Sequence, residues 1–387
     1  MKTRWIQHFT TCVLLSQSIQ VRSKVSIPLT NAINLFTVPI SIGDPSTIHH
    51  LGIDTGSLVT WCGAITPYVE TKSTVNLNLP MQINYGFGDA EGVYVNDTIS
   101  FKSEDNDHQI IMPKVTIGKI SSPVGFDGYD GLIGLNPVPW ESDPNSIIET
   151  QTVMVHMWKR GLIQKNMFAV SGKPTKSMKP EKNGMITFGG YEPSLFVGEL
   201  YWYDCYSGSH WDWTASVRYG ETSLSSGPIR GMFDTGFTIG PALSPDLFKK
   251  YINSIPGARW DSQDFQQSNP SGNINRHLLK IPKSSIHQMK DLCFKTQDFK
   301  DWCFTPEAQL IPENVLFHQT YRYSFVSPFH GTKLPSFKFG MKGHERFYVV
   351  YDVENYKRQH GRKASFEKLE TITQKDFPRF YFSLLLI

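Results

Sequence analysis

Short apolar or β-branched runs alternate along most of this chain with turns rich in Gly, Pro, Asn and Asp. The stretches LFTVPISIG, MQINYGFG, GVYVNDTISF, MITFGG, ELYWYD and RFYVVYDV all read as strands. Helical spacing is scarce. TVMVHMWKRGLI has apolar residues at helical spacing and stops at Gly161, and SPDLFKKYINSI opens on Ser244 followed by Pro245, a good cap and first-turn pair. KSSIHQMKDLCF is a third, weaker helix candidate.

The pattern also repeats on a coarse scale. IDTGSLVTWCG, from Ile53, and GMFDTGFTIGP, from Gly231, each put Asp-Thr-Gly behind an apolar run. Each is followed downstream by an apolar stretch with Gly: DGLIGL at Asp130 to Leu135, and FKFGM at Phe337 to Met341. A repeat on half the chain length predicts two similar β lobes, each contributing one Asp.

Composition narrows the class. The 387 residues suffice for two domains, and 40% hydrophobic with only 19% charged is a globular balance that favours short strands over long helices. Net charge is +3, with no basic run long enough to follow a nucleic-acid backbone; YKRQHGRK reads as a solvated turn. No segment reaches the ~20 apolar residues of a membrane span, so no stable membrane anchor is expected. Residues 1–22 read as a weak secretory leader: Lys2 and Arg4 precede a modest apolar stretch, then small and polar residues. If the chain is secreted, Asn96 in NDT is a glycosylation acceptor. Of five cysteines, Cys12 would leave with the leader if that is a cleaved signal peptide. Cys293 and Cys303 bracket FKTQDFKDW, a tight hairpin, and are either a cross-strand disulfide or two free thiols.

The two aspartates carry the chemistry. Carboxylates within hydrogen-bond reach cannot both ionise, so the pair holds one proton. Such a pair can grip a water, one member taking its proton while the other hydrogen-bonds a substrate carbonyl. Amide hydrolysis then runs through a tetrahedral diol with no metal and no other cofactor. Gly56 and Gly236 let backbone N–H groups approach a carboxylate, Thr55 and Thr235 can reach across to the opposite loop, and Ser57 can donate to Asp54. A single Asp-Thr-Gly is ordinary turn chemistry. Two copies in matching contexts point to a paired site.

On these residues the chain resembles the pepsin-family aspartic endopeptidases, and among them the secreted basidiomycete enzymes of the polyporopepsin type. The likeness runs with gaps from about Val25 to about Lys363. SIGDPSTIHHLGIDTGSLVTWCG is similar to the family's first catalytic loop, INYGFGDAEGVYVNDTISF to its flap hairpin, and ERFYVVYDVENYK to its closing strands. The resemblance implies an all-β, bilobal double barrel or sandwich with a cleft between lobes and a flap over it. It implies an N-terminal lobe over 23–203 with the flap at 81–95, a C-terminal lobe over 204–365, and a tail over 366–387. It makes Asp54 and Asp234 the catalytic pair, Tyr85 the flap tyrosine and Trp61 the indole that holds its hydroxyl. Gly86 and Gly88 would let the flap tip turn, and Leu132 would line the pocket for the side chain before the cut bond. Protein or peptide substrates and a monomer follow from the same likeness.

Three features depart from that family. Phe237 stands where Ser or Thr is usual, with Thr238 beside it as a partial substitute; Phe87 replaces Ser or Thr at the flap tip; and no basic pro-segment separates leader from body. The missing hydroxyl at 237 predicts Asp234 to be the protonated member of the pair and the acidic limb of activity to sit at higher pH. The same departures define a second reading, a secreted protein of this fold that binds peptides with weak or no proteolysis.

Overall fold

The computed structural model describes residues 24–86, 88–103, 109–126, 128–137, 152–205, 210–238, 240–261, 278–329, 336–353 and 363–368. The leader, Phe87 and nearly all of the tail lie outside them. Among the described residues the architecture is mostly β, as expected, built on sheets of thirteen, eight and three strands.

Alternation along the strands decides their faces. Val25–Asn31 buries every second residue, whereas Phe347–Asp352 is buried throughout and lies inside the large sheet. That sheet joins the two halves of the chain: Val349 to Asp352 pair antiparallel with Val170 to Met167. The supposed divide at 203/204 therefore runs through one continuous sheet. The core is equally shared. Phe168 stacks on Tyr351 with centroids 4.5 Å apart, and Trp211 packs edge-on against both. The Trp211 indole N–H also donates to the Leu135 carbonyl at 3.0 Å, tying the second half to the first catalytic-loop region.

In each half, a strand leading to an Asp lies parallel to a strand from the downstream repeat. Ser46–Asp54 runs beside Gly131–Gly134, and Ile229–Phe233 beside Phe337–Phe339. The faint sequence repeat is thus a repeated strand crossing. The segment expected to form the flap is a hairpin of Val75–Tyr85 and Gly88–Lys102.

The first two helices form where expected. Val153–Lys159 is capped by the Thr152 hydroxyl, and Gly161 follows at φ 67°. Pro245–Asn253 begins after Ser244, although that hydroxyl makes no capping bond. The third differs. Only a 3-10 turn forms over Lys283–Gln288, and Leu292–Lys295 is a strand. The apolar residues LCF are drawn into pairing with Asp301–Phe304 and with Tyr219 to Ser216, a tertiary gain that overrides a weak helical preference. Cys293 and Cys303 sit directly opposite in that pairing and form a disulfide.

Candidate active site

Both Asp-Thr-Gly loops emerge from the ends of buried strands and meet face to face. The Thr55 N–H donates to Thr235 Oγ1 at 2.9 Å, and the Thr235 N–H donates to Thr55 Oγ1 at 3.0 Å. Each hydroxyl in turn donates to the opposite strand, Thr235 to the Ile53 carbonyl at 2.8 Å and Thr55 to the Phe233 carbonyl at 3.3 Å. Both threonines are fully buried, so four hydrogen bonds shielded from water fix one loop against the other.

The glycines set the spacing of the carboxylates. A Cβ at Gly56 would stand 2.5 Å from Asp234 Oδ1, and one at Gly236 would stand 2.4 Å from Asp54 Oδ1. Each glycine therefore abuts the opposite aspartate, and only a hydrogen in place of a methyl allows that approach. Asp54 Oδ1 accepts from the Gly56 N–H at 2.8 Å. Burial, and then the negative charge of Asp234, push the Asp54 carboxyl up to about 7. Ser57 and the backbone N–H groups of residues 56 and 57 work against that rise. The Ser57 hydroxyl is itself buried without a well-formed hydrogen bond, but it lies close enough to act on both Asp54 and Tyr85.

Asp234 is held differently. Its Oδ2 lies 3.4 Å from the Lys338 ammonium, and among the described residues no hydrogen bond joins it to Thr238. The contacts run against the expectation that Asp234 carries the proton. A cation sits beside Asp234 and favours its charged form, whereas burial and the Asp234 charge raise the Asp54 carboxyl. Nothing in the spacing of residues 234 and 338 could reveal that contact. The available signal was a lysine inside the otherwise apolar FKFGM.

The flap side is aromatic. The Trp61 indole N–H donates to the Tyr85 hydroxyl at 2.7 Å. Phe126, which sequence reasoning did not single out, packs edge-on against Trp61 at 4.8 Å and against Tyr85 at 5.3 Å. Leu132 joins this cluster with Leu35, Met81 and Ile120. A Cβ at Gly88 would come 2.2 Å from the Val124 carbonyl oxygen, so that glycine serves strand packing, while Gly86 has open space. Phe87 lies outside the described residues. Asn96 is half-buried in mid-strand, and its Oδ1 accepts from Thr116 at 2.8 Å. Glycan acceptors belong on surface loops, so this is a poor position for one.

A family model for eukaryotic aspartyl proteases matches residues 35–361. The chain belongs to the eukaryotic aspartyl protease family. It is an aspartic-type endopeptidase, and the resemblance to pepsin-family enzymes holds. It is similar to polyporopepsin of Irpex lacteus, 29% identical over 343 residues, covering 85% of this chain and 94% of that protein. Pepsin A-5 of Mus musculus is 29% identical over 231 residues, 55% of this chain and 56% of that one. The crystal structure of the Irpex lacteus aspartic proteinase matches with a TM-score of 0.77 and 29% identity, over 89% of this chain and 97% of that chain. Among the described residues of this aspartyl protease, no helix is long and apolar enough to cross a membrane.

Proposed function

We propose that the protein cleaves peptide bonds with a water activated between Asp54 and Asp234, preferring bulky apolar side chains on both sides of the cut. The observation that carries this reading is the mutual approach of the two loops, with each glycine against the opposite carboxylate. In the starting state Asp54 is protonated and Asp234 ionised. Asp234 takes a proton from the water as its oxygen adds to the carbonyl carbon, and Asp54 gives its proton to the carbonyl oxygen. Collapse of the diol breaks the C–N bond. Asp234 passes its proton to the leaving nitrogen, and Asp54 regains one from the diol. The Trp61–Tyr85 bond supports a flap that lies along an extended substrate, whose side chains alternate into separate pockets. The apolar cluster of Trp61, Phe126 and Leu132, on which Tyr85 packs, supports a preference for apolar side chains on that side of the site.

The Cys293–Cys303 disulfide supports a secreted enzyme, since such bonds persist in oxidising compartments. Both carboxylates come from one chain, so a monomer suffices. Digestion of casein with and without pepstatin tests the activity, and Asp54→Asn and Asp234→Asn should each abolish it. Cleavage mapping on a denatured protein tests specificity, and a clear preference for Lys, Arg or Asp beside the cut would reject it. Pepstatin binding without digestion would favour the second reading, a peptide-binding cleft. The ammonium lodged on Asp234 is the observation that keeps that reading in play.

A further inference from the structure

The two halves of the site match in geometry but not in chemistry. Gly52 pairs with Leu132 two residues before Asp54, and Met232 pairs with Lys338 two residues before Asp234. Leu132 and Lys338 thus hold corresponding places in the repeated strand crossing. Ser57 and Phe237 likewise hold corresponding places, each directly after Asp-Thr-Gly. The first half has a leucine and a hydroxyl; the second has an ammonium and a ring. The two differences meet at one point. Lys338 Nζ lies 3.4 Å from Asp234 Oδ2, 5.4 Å from the centre of the Phe237 ring and 5.9 Å from that of Phe329.

We propose that Lys338 and Phe237 act as one unit in place of a hydroxyl donor: the ring seats the ammonium, and the ammonium donates to Asp234 Oδ2 and keeps Asp234 the charged member of the pair. This rests on Asp54 and Asp234 being the catalytic dyad. A charged donor stabilises a carboxylate more than a hydroxyl does, and an aromatic face within about 6 Å attracts an ammonium. The Lys338 side chain is 23% exposed and that of Asp234 13%, so solvent screens the pair only in part. Lys338 is a positioning residue here, acting on the reaction through Asp234.

Other groups face the pair. Asp54 lies opposite, with the Tyr85 hydroxyl beyond it. His210, which burial keeps toward its neutral form, feels both Asp234 and Lys338, and the Arg230–Asp212 ion pair stands next to it. Tyr351 lies beneath, deeply buried. Among these, Lys338 is the cation bonded to Asp234.

A cation there favours every ionised form of the dyad, so removing it raises both apparent pKa values of the pair. In Lys338→Met, both limbs of the kcat/KM profile should move to higher pH by about one unit. Phe237→Leu should move them the same way by less, and adding Phe237→Thr to Lys338→Met should move them most of the way back. Lys338→Gln serves as a second variant if the methionine form does not fold. Limbs that stay in place, or that move toward acid, would overturn the proposal and leave Lys338 a packing residue. The same shift can be read without turnover by titrating 13C-carboxyl-labelled aspartates, assigned with Asp54→Asn and Asp234→Asn. Absence of all proteolysis would defeat the proposed function, while the carboxyl titration would still decide the role of Lys338.

Discussion

Asp54 is 4% exposed, and burial, then the charge of Asp234, pushes its carboxyl up to about 7 from the ordinary aspartate range near 4. Below about pH 4 it is protonated in both folded and unfolded chains, so its contribution to stability is complete. As pH rises toward 7 the unfolded chain ionises first and is favoured, and stability is lost. Asp54→Asn removes that dependence. We expect the variant to be inactive yet more stable than the parent at pH 7, and little different at pH 4. Denaturant titrations at the two pH values check this; equal stability of parent and variant at pH 7 would contradict it. A second residue-scale prediction concerns spacing. A methyl in Gly236→Ala would press on Asp54 Oδ1 from 2.4 Å, so kcat/KM should fall about 100-fold or more while the protein remains folded. Steady-state kinetics beside a melting curve decides it.

At the scale of elements, the flap and the closing hairpin differ in how they are held. The flap strand Val75–Tyr85 is mostly exposed and rests on its neighbour and on the Trp61, Tyr85 and Phe126 rings. Trp61→Phe keeps an aromatic ring but loses the bond to the Tyr85 hydroxyl. A neutral hydrogen bond contributes about 1 kcal/mol, so kcat/KM should fall about fivefold, with melting temperature nearly unchanged. The hairpin of Leu292–Lys295 and Asp301–Phe304 is instead fastened covalently, across a sequence separation of 10. Replacing both cysteines by serine should lower stability by about 3 kcal/mol, from the restored freedom of the unfolded loop. A shift well under 1 kcal/mol in urea unfolding would mean that the strand pairing alone suffices. These elements also show where sequence reading succeeded. Strong alternation and a cysteine at each end of a short turn are local signals, whereas the weak helix over Lys283–Gln288 depended on which partners the following strand would find.

For the whole molecule, the sheet and core that cross the midpoint make the halves interdependent. Removing residues beyond 204 would strip Phe347–Asp352 from the edge of Met167–Gly172 and open the Phe168–Tyr351 stack. The fragment 24–204 expressed alone should therefore aggregate, because an unpaired apolar strand edge invites other chains. A soluble, cooperatively melting fragment would show that the first half holds its own core. By itself the sequence determined the β class, the twofold repeat and the two Asp-Thr-Gly loops. Those are properties of residue type and short-range order, and they survive without coordinates. Tertiary structure alone decided the electrostatic surroundings of the pair. Those depend on how deeply Asp54 is buried and on Lys338, 104 positions from Asp234, arriving 3.4 Å from its oxygen. Electrostatic energy follows distance in space and the dielectric around a charge, and a linear pattern carries neither.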